Sequence, residues 1–181
     1  SSPSRGLGDV YKRQVLISCN QDPTAVIKTT GIKNISIFEE DIKIKDIFNN
    51  LIRKAISEIG IEPSVLVVCT QTPDEAIPAL SSQLVYFNNF NGDVSCYDIN
   101  AGCTGFVDIS KIAYLESLIK PEGLVFCCSG DINSKIVNRE DYSLSCVFGD
   151  LLNLSIFKLN NKNSKNLYRY EVSFKHYDCI R

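Results

Sequence analysis

The segment AGCTG carries the residue in this chain best suited to covalent chemistry. Cys103 follows Gly102 directly and precedes Gly105 by two positions, between a strand-like run and a long apolar stretch. A thiol at a strand-to-helix junction lies near unpaired backbone N–H groups and the positive end of the helix dipole, which favour a thiolate. Glycines at these positions permit a tight turn and leave room beside the sulfur. The pattern predicts that Cys103 is a nucleophile.

The residues near Cys103 leave a second interpretation open. A helix N-terminus stabilises an anion by only roughly 0.3–2 kcal/mol, so a further activating group, normally a histidine, is expected beside a catalytic cysteine. The alternative is that Cys103 is a packing residue. We expect that role for Cys127 and Cys128, which lie in the apolar run LVFCCSG.

The elements that must position Cys103 indicate an α/β fold. Residues 65–69 and 124–128 are continuous apolar runs, typical of parallel strands covered on both faces. A helix over residues 77–87 and a strand over residues 94–99 lie between them, followed by a helix that begins near Cys103. Strands that alternate with helices in this way are joined by crossover connections.

The other segments differ in their hydrophobic pattern. Residues 44–59 show apolar positions at i, i+3, i+4 and i+7, which predicts an amphipathic helix. The helix after Cys103 is apolar almost all the way round, so we expect it to be buried between layers. Residues 15–19 predict a short strand, followed by a loop around Asp22 and Pro23. Residues 158–166 predict a loop before a half-exposed strand.

Composition excludes several classes of protein. The chain has 181 residues, 44% hydrophobic and 22% charged, and no segment approaches the ~20 apolar residues of a membrane span. The net charge of -2, with scattered Lys and Arg, offers no basic surface for nucleic acid. Several of the eight cysteines lie in apolar runs, which favours a reducing, cytoplasmic compartment over a disulfide scaffold. There is no C-x-x-C pair and His176 is the only histidine, so we expect neither a metal nor a cofactor.

The first fourteen residues, SSPSRGLGDVYKRQ, differ in character from the rest and resemble a translated sequencing adapter. We therefore expect the domain to comprise residues 15–181. The chain contains no methionine, which together with the adapter-like segment indicates a fragment.

The segment DINAGCTGF, residues 98–106, is similar to the active-site segment of the β-ketoacyl-acyl carrier protein synthase III family. Three further segments resemble landmarks of that family in the same order: TTGIKN at residues 29–34, VVCTQTPDEAIPA at residues 67–79 and VFGD at residues 147–150. The resemblance extends from about residue 15 to residue 157.

The resemblance implies a thiolase-like fold with layered α-β-α-β-α architecture, of which this chain is the N-terminal half. It also implies an acyltransferase of fatty-acid or related acyl metabolism. In that chemistry Cys103 takes an acyl group from a thioester of coenzyme A or a carrier, and malonyl-acyl carrier protein then condenses with it. The family forms homodimers, and Ile77 lies closest to the residue that approaches the partner's acyl pocket. An apolar residue at this position is equally typical of a core.

Several departures from the family bear on activity. The family's catalytic histidine and asparagine come from the second half of its chain, and His176 does not match their motifs, so this chain is expected to lack condensing activity by itself. Ala25 and Tyr142 occur where members that bind coenzyme A carry tryptophan and arginine, which favours a carrier-bound or specialised acyl donor. The sequence LLNLS at residues 151–155 replaces a glycine-rich continuation.

Two other functions remain open. The segment AGCTG approximates the nucleophile elbow of α/β-hydrolases, and Cys103, Asp131 or Asp150, and His176 follow the hydrolase order, which would give a thiol hydrolase. The second alternative is a non-catalytic partner subunit of the synthase fold, suggested by the leucines that follow Asp150.

Overall fold

The computed structural model describes residues 22–33, 35–138, 140–159 and 167–172. The predicted strand at residues 15–19, the adapter-like segment and His176 lie outside these ranges. The described elements, in chain order, are α1 (Pro23–Thr30), α2 (Ile44–Ile59), β1 (Val65–Cys69), α3 (Leu80–Asn88), β2 (Ser95–Ile99), a one-turn 3-10 helix (Gly102–Thr104), α4 (Gly105–Ile119), β3 (Val125–Asp131), a second one-turn 3-10 helix (Asn133–Lys135), α5 (Tyr142–Ser145), β4 (Leu151–Leu159) and β5 (Leu167–Val172).

The chain divides into two compact units, which we describe separately. Of the described residues, the sheet unit contains 43–131, 152–159 and 167–172, and the second unit contains 22–33, 35–42, 132–138 and 140–151.

The sheet has five strands in the order β2-β1-β3-β4-β5. β1 pairs in parallel with β2 and β3, so the predicted crossover α/β arrangement is confirmed. β4 and β5 pair in antiparallel fashion. β4 continues to Leu159, two residues into the predicted loop, and β5 begins at Leu167. The parallel strands bring the chain after Cys69, Ile99 and Asp131 to one end of the sheet.

Helices cover both faces of the central strands. Every residue of β1 is buried, as its unbroken apolar pattern predicted. One face of the sheet packs against α4 in a cluster formed by Val65, Val67, Cys69, Ile109, Ala113, Val125, Cys127 and Phe157. Because successive side chains of a strand point to opposite faces, the other face is left to α2 and α3, which pack against the same strands and each other.

The predicted helix over residues 44–59 is confirmed as α2. Its apolar stripe is buried, and Gly60 ends it in the left-handed region at φ 74°. α3 begins at Leu80, three residues later than predicted. The reason is Pro78, because its ring disfavours helical backbone at the preceding residue, Ile77.

The expectation that α4 is buried all round is wrong for the part of the chain that the structure describes. Only Gly105, Ile109, Ala113 and Ser117 of this helix are buried. Val107 and Ile119 are each 70% exposed. The sheet covers one side of α4, and within the sheet unit no described element covers the other.

In the second unit, the segment predicted to be a loop around Asp22 and Pro23 begins helix α1. Asp22 caps the helix, because its Oδ1 accepts the Thr24 backbone N–H at 2.9 Å. Pro23 is the first helical residue, where its missing N–H costs nothing. Gly31 ends the helix at φ 70°. Asp-Pro therefore acts here as a helix start.

Candidate active site

Cys103 lies in the middle of the one-turn 3-10 helix Gly102–Thr104, between the end of β2 and the first residue of α4. Its side chain is exposed. The predicted position at a strand-to-helix junction is confirmed, and the thiol is accessible. Its role as the nucleophile remains a prediction.

The backbone conformation at residue 102 favours glycine. Its φ of +52° lies in the left-handed region, which favours glycine over residues with a Cβ. The amide of the Gln71 side chain lies against it, with Nε2 3.4 Å from the position a Cβ would occupy. Gly102 therefore turns the chain into the Cys103 segment while Gln71 approaches closely.

At residue 105, close packing rather than backbone conformation favours glycine. A Cβ at this position would overlap Sγ of Cys69, the last residue of β1. Burial raises the pKa of the Cys69 thiol; a hydrogen bond from the Ala101 backbone opposes this, and the charges of Asp131 and Asp108 add to the increase. Cys69 is thus a protonated packing residue beneath the Cys103 turn.

The remaining cysteines of the apolar runs are also buried, but to different degrees. Cys127 and Cys128 are fully buried, and burial raises the pKa of both thiols, as expected of packing residues. Cys96 is only half-buried, because it lies on β2 at an edge of the described sheet.

Asp131, at the end of β3, fixes the segment that leaves β1. Its Oδ1 accepts hydrogen bonds from the Thr70 hydroxyl at 2.8 Å, the Gln71 backbone N–H at 2.6 Å and the Thr72 hydroxyl at 3.3 Å. The sequence suggested Asp131 as a possible acid of a hydrolase triad. In the structure, this oxygen holds the backbone that brings Gln71 to Gly102.

Ile77 lies in the irregular segment between β1 and α3 and is 87% exposed. It is therefore not a core residue. Hydrogen bonds hold the segment on both sides of Ile77: Oδ2 of Asp74 accepts the Lys45 backbone N–H at 3.1 Å, and the carboxylate of Asp98 accepts the N–H groups of Leu80 and Ser81. Sequence reasoning missed these caps, because each carboxylate comes from an element remote from the helix it caps.

In the second unit, Asp150 is 2% exposed and joins two chain segments. Its carboxylate accepts the Phe38 backbone N–H at 2.7 Å and both the N–H and the hydroxyl of Ser134. Asp150 also donates its own N–H to the Ser36 carbonyl. The other acid proposed for a hydrolase triad thus holds this unit together, while the proposed His176 lies outside the described residues.

A cavity of about 380 Å³ opens between α1 and α5 in the second unit. It is lined by Ala25, Val26, Thr29, Thr30, Ser143, Cys146 and Val147. Ala25 therefore borders a volume large enough for part of a small ligand. Tyr142, the other position singled out from the sequence, is the first residue of α5.

Neither a metal centre nor a membrane span occurs in the described ranges. The His, Cys, Asp and Glu residues found there form no cluster able to hold an ion. The described helices are all too short or too polar to cross a bilayer.

Curated proteins of similar sequence match this chain over part of their length. No protein-family model matches the chain. β-Ketoacyl-[acyl-carrier-protein] synthase III of Anaplasma marginale is 26% identical over 150 residues, which cover 77% of this chain and 44% of the relative. The synthase III of Wolbachia pipientis is 31% identical over 139 residues, which cover 71% of this chain and 42% of the relative.

A solved structure has a similar fold. The 3-oxoacyl-(acyl carrier protein) synthase III of Pseudomonas aeruginosa superposes with a TM-score of 0.74 at 19% identity and covers 92% of this chain and 51% of its own. The predicted thiolase-like α/β fold is confirmed. The chain spans less than half the length of the curated relatives it matches. Over the residues that align, the chain is similar to β-ketoacyl-acyl carrier protein synthase III.

Proposed function

We propose that this chain carries the nucleophile of a decarboxylative condensing enzyme, a 3-oxoacyl-acyl carrier protein synthase, and that Cys103 is that nucleophile. The observation that supports this most is the exposed thiol of Cys103 on a single helical turn before α4. Gly102 and Gly105 on either side have specific steric reasons to be glycine. The named relatives support the reaction class, although the chain covers only part of them.

The proposed chemistry has two half-reactions. In the first, the Cys103 thiolate attacks the carbonyl carbon of an acyl thioester. A carbon–sulfur bond forms to Cys103, the bond to the donor sulfur breaks, and the donor thiol leaves with the proton that Cys103 gave up. In the second, a malonyl group on acyl carrier protein loses carbon dioxide, and the carbanion attacks the acyl carbon. Cys103 then leaves as a thiolate, which the N-terminus of α4 favours.

We infer that the acyl donor is carrier-bound or otherwise specialised. The small side chain of Ala25 borders the 380 Å³ cavity and offers no aromatic face on which an adenine ring could stack. Comparing the rates at which the same acyl group is transferred from coenzyme A and from acyl carrier protein tests this. A faster rate from the carrier is expected, and equal rates would contradict the inference.

We further infer a homodimer in which Ile77 approaches the acyl pocket of the partner. A large apolar side chain held in solvent by capped neighbours is typical of a contact surface. β2 lies at an edge of the described sheet and offers backbone groups for pairing. Sedimentation should give twice the monomer mass. Ile77→Trp should shorten the longest acyl group accepted, whereas the exposed control Ile61→Trp should not.

The central test is acylation of Cys103. The chain is incubated with a radiolabelled acyl-acyl carrier protein, digested, and its labelled peptide identified. Label on Cys103 is expected. Cys103→Ala should lose all of the label, whereas the control Cys96→Ala, which removes another free thiol, should keep it. Label that persists in Cys103→Ala, or a wild-type chain that acquires no label, would reject the assignment.

A second experiment separates the synthase from a non-catalytic partner subunit. Because the chain lacks the family's histidine and asparagine motifs, we expect acylation without condensation. A version extended through the downstream coding sequence should release carbon dioxide from malonyl-acyl carrier protein. If Cys103 of the extended protein acquires no acyl label, the inert-subunit alternative is favoured.

The proposed compartment is the cytoplasm. All six cysteines in the described residues have free thiols, which is typical of a reducing environment. Fractionation with a fluorescent fusion of the extended protein tests this proposal, and a membrane-enclosed oxidising location would contradict it.

A further inference from the structure

Thr104, the residue directly after Cys103, occupies the position at which a threonine usually caps the helix that follows. A capping threonine has an extended backbone, and its side-chain oxygen accepts an N–H from the first turn of that helix. Thr104 instead has φ −89° and ψ −8°, and its side chain makes no capping bond to α4 among the described residues. The Thr104 hydroxyl therefore serves something other than the start of α4.

The Thr104 hydroxyl donates back across the turn that contains Cys103. Its Oγ1 lies 2.9 Å from the Ala101 carbonyl oxygen. The backbone bond that closes the same turn, from the Thr104 N–H to the Ala101 carbonyl, is longer at 3.3 Å. Oδ2 of Asp108 is 3.4 Å from Oγ1, beyond the usual range for a hydroxyl donor, so the single hydroxyl proton goes to Ala101. The side chain thus makes the shorter of these two links across Gly102 and Cys103.

The local structure of the Cys103 turn makes this side-chain bond important. The turn is one isolated 3-10 turn, in which hydrogen-bond geometry is poorer than in an α-helix and several dihedral angles are fixed for each bond gained. Gly102 begins it at φ +52°, and Ala101 has no side chain able to cap it. The Cys103 side chain is exposed, so burial does not fix its direction. The direction of Sγ therefore depends on how firmly the turn is closed.

We propose that Thr104 is a positioning residue for the acylation of Cys103: its hydroxyl holds the turn in the conformation that presents Sγ to the carbonyl carbon of the donor thioester. This rests on the proposed function. Attack requires the sulfur to lie about 3–3.5 Å from that carbon and in line with its π orbital. A closed turn supplies this geometry before the donor binds, whereas a loosened turn must find it at each encounter. Thr104 acts through the backbone of Cys103.

Thr104→Val tests the proposal because valine has the shape of threonine without the hydroxyl. We expect the maximal rate of transfer from a radiolabelled acyl-acyl carrier protein to Cys103 to fall roughly 10-fold. The donor concentration that gives half of the maximal rate should stay unchanged, since the substitution affects the nucleophile rather than donor binding. Thr104→Ser, which keeps the hydroxyl, should react at the wild-type rate.

Ser110→Ala is the matched control. The Ser110 hydroxyl donates to the Phe106 carbonyl at 2.7 Å, so this variant loses the same kind of bond farther along α4. Acyl transfer in Ser110→Ala should keep its wild-type rate, and its unfolding midpoint in urea should resemble that of Thr104→Val. Equal stability with unequal acyl transfer separates the position of Cys103 from a general loss of structure.

Two further measurements report the turn and the thiol independently of acyl transfer. Hydrogen exchange at the Thr104 N–H should accelerate in Thr104→Val but not in Thr104→Ser, because valine leaves only the longer backbone bond to Ala101. Iodoacetamide is small and can reach an exposed sulfur from many directions. Alkylation of Cys103 should therefore keep its wild-type rate in both variants.

Several outcomes would overturn the proposal. Thr104→Val that acylates at the wild-type rate removes the need for the hydroxyl, and Thr104→Ser as slow as Thr104→Val shows that the hydroxyl is not the cause. Equal slowing of acylation and alkylation shows a change in the reactivity of the thiol instead of its position. These results would leave the proposed function intact, whereas a wild-type chain that acquires no label on Cys103 would reject the proposed function and this inference with it.

Discussion

The carboxylate of Asp98, five residues before Cys103, accepts the backbone N–H of Leu80 at 2.6 Å. Leu80 is the first residue of α3, and Ser81 donates to the other oxygen of Asp98 at 2.8 Å. The residue before the helix, Ala79, has no side chain able to cap it. The strand that leads to Cys103 therefore also fixes the segment that carries Ile77.

Replacing Asp98 should destabilise this connection. Asp98→Ala leaves two N–H groups of α3 without their acceptor, and we expect the free energy of unfolding to fall by about 1–2 kcal/mol. Urea denaturation measures the loss, and hydrogen exchange at Leu80 and Ser81 should accelerate. Asp93→Ala, on the exposed loop before β2, is the matched control and should be neutral. Equal effects of the two substitutions would contradict the capping role.

Gly105→Ala should destabilise the turn beneath Cys103. The new Cβ overlaps Sγ of Cys69, and we expect a loss of about 1–3 kcal/mol in the free energy of unfolding. Removing the sulfur in Cys69→Ala/Gly105→Ala should recover most of that loss, so the two substitutions are not additive. Gly92→Ala has no atom within 4 Å of its new Cβ and serves as the control. An additive double mutant would show that the overlap is not the cause.

Asp150→Asn should destabilise the second unit. The amide matches the shape of the carboxylate, but its NH₂ group faces N–H and O–H donors of Phe38 and Ser134 in a site that is 2% exposed. We expect a loss of about 2–4 kcal/mol, because buried hydrogen bonds to a charge are broken and polar groups lose their partner. Proteolysis of the native protein should accelerate in this variant. The exposed Asp41→Asn should resist proteolysis like the wild type.

Stability should fall at alkaline pH because of the buried thiols. Burial raises the pKa of Cys127 and Cys128 above the ordinary value of 9.0. Above pH 9 the unfolded chain releases these protons while the folded chain keeps them, so the free energy of unfolding decreases as pH rises past that value. Below pH 9 these thiols contribute their full stabilisation.

Unfolding in urea at a series of pH values measures this slope. Cys127→Ala should start less stable but lose less stability between pH 8 and 10.5 than the wild type. Val67→Ala, which truncates the same core without removing a thiol, should lose stability equally at each pH. Identical slopes in wild type and Cys127→Ala would contradict the prediction.

The sequence by itself determined the elements whose patterns are local. The stripe of α2, the unbroken apolar run of β1 and the glycines around Cys103 predicted a helix, a buried parallel strand and a strand-to-helix junction, and the structure contains all three. These features are readable because periodicity and backbone conformation depend on neighbours along the chain. The segment DINAGCTGF likewise pointed to the family on local residues.

Only the tertiary structure decided which residues meet. Gln71 approaches Gly102, Asp98 caps α3, and Cys69 lies under Gly105, because parallel pairing of β1, β2 and β3 brings their ends together. The exposure of α4 was mispredicted because the burial of an apolar face depends on partners remote in sequence, whereas the later start of α3 follows from its neighbour Pro78. Such contacts follow from strand order, which no local pattern encodes.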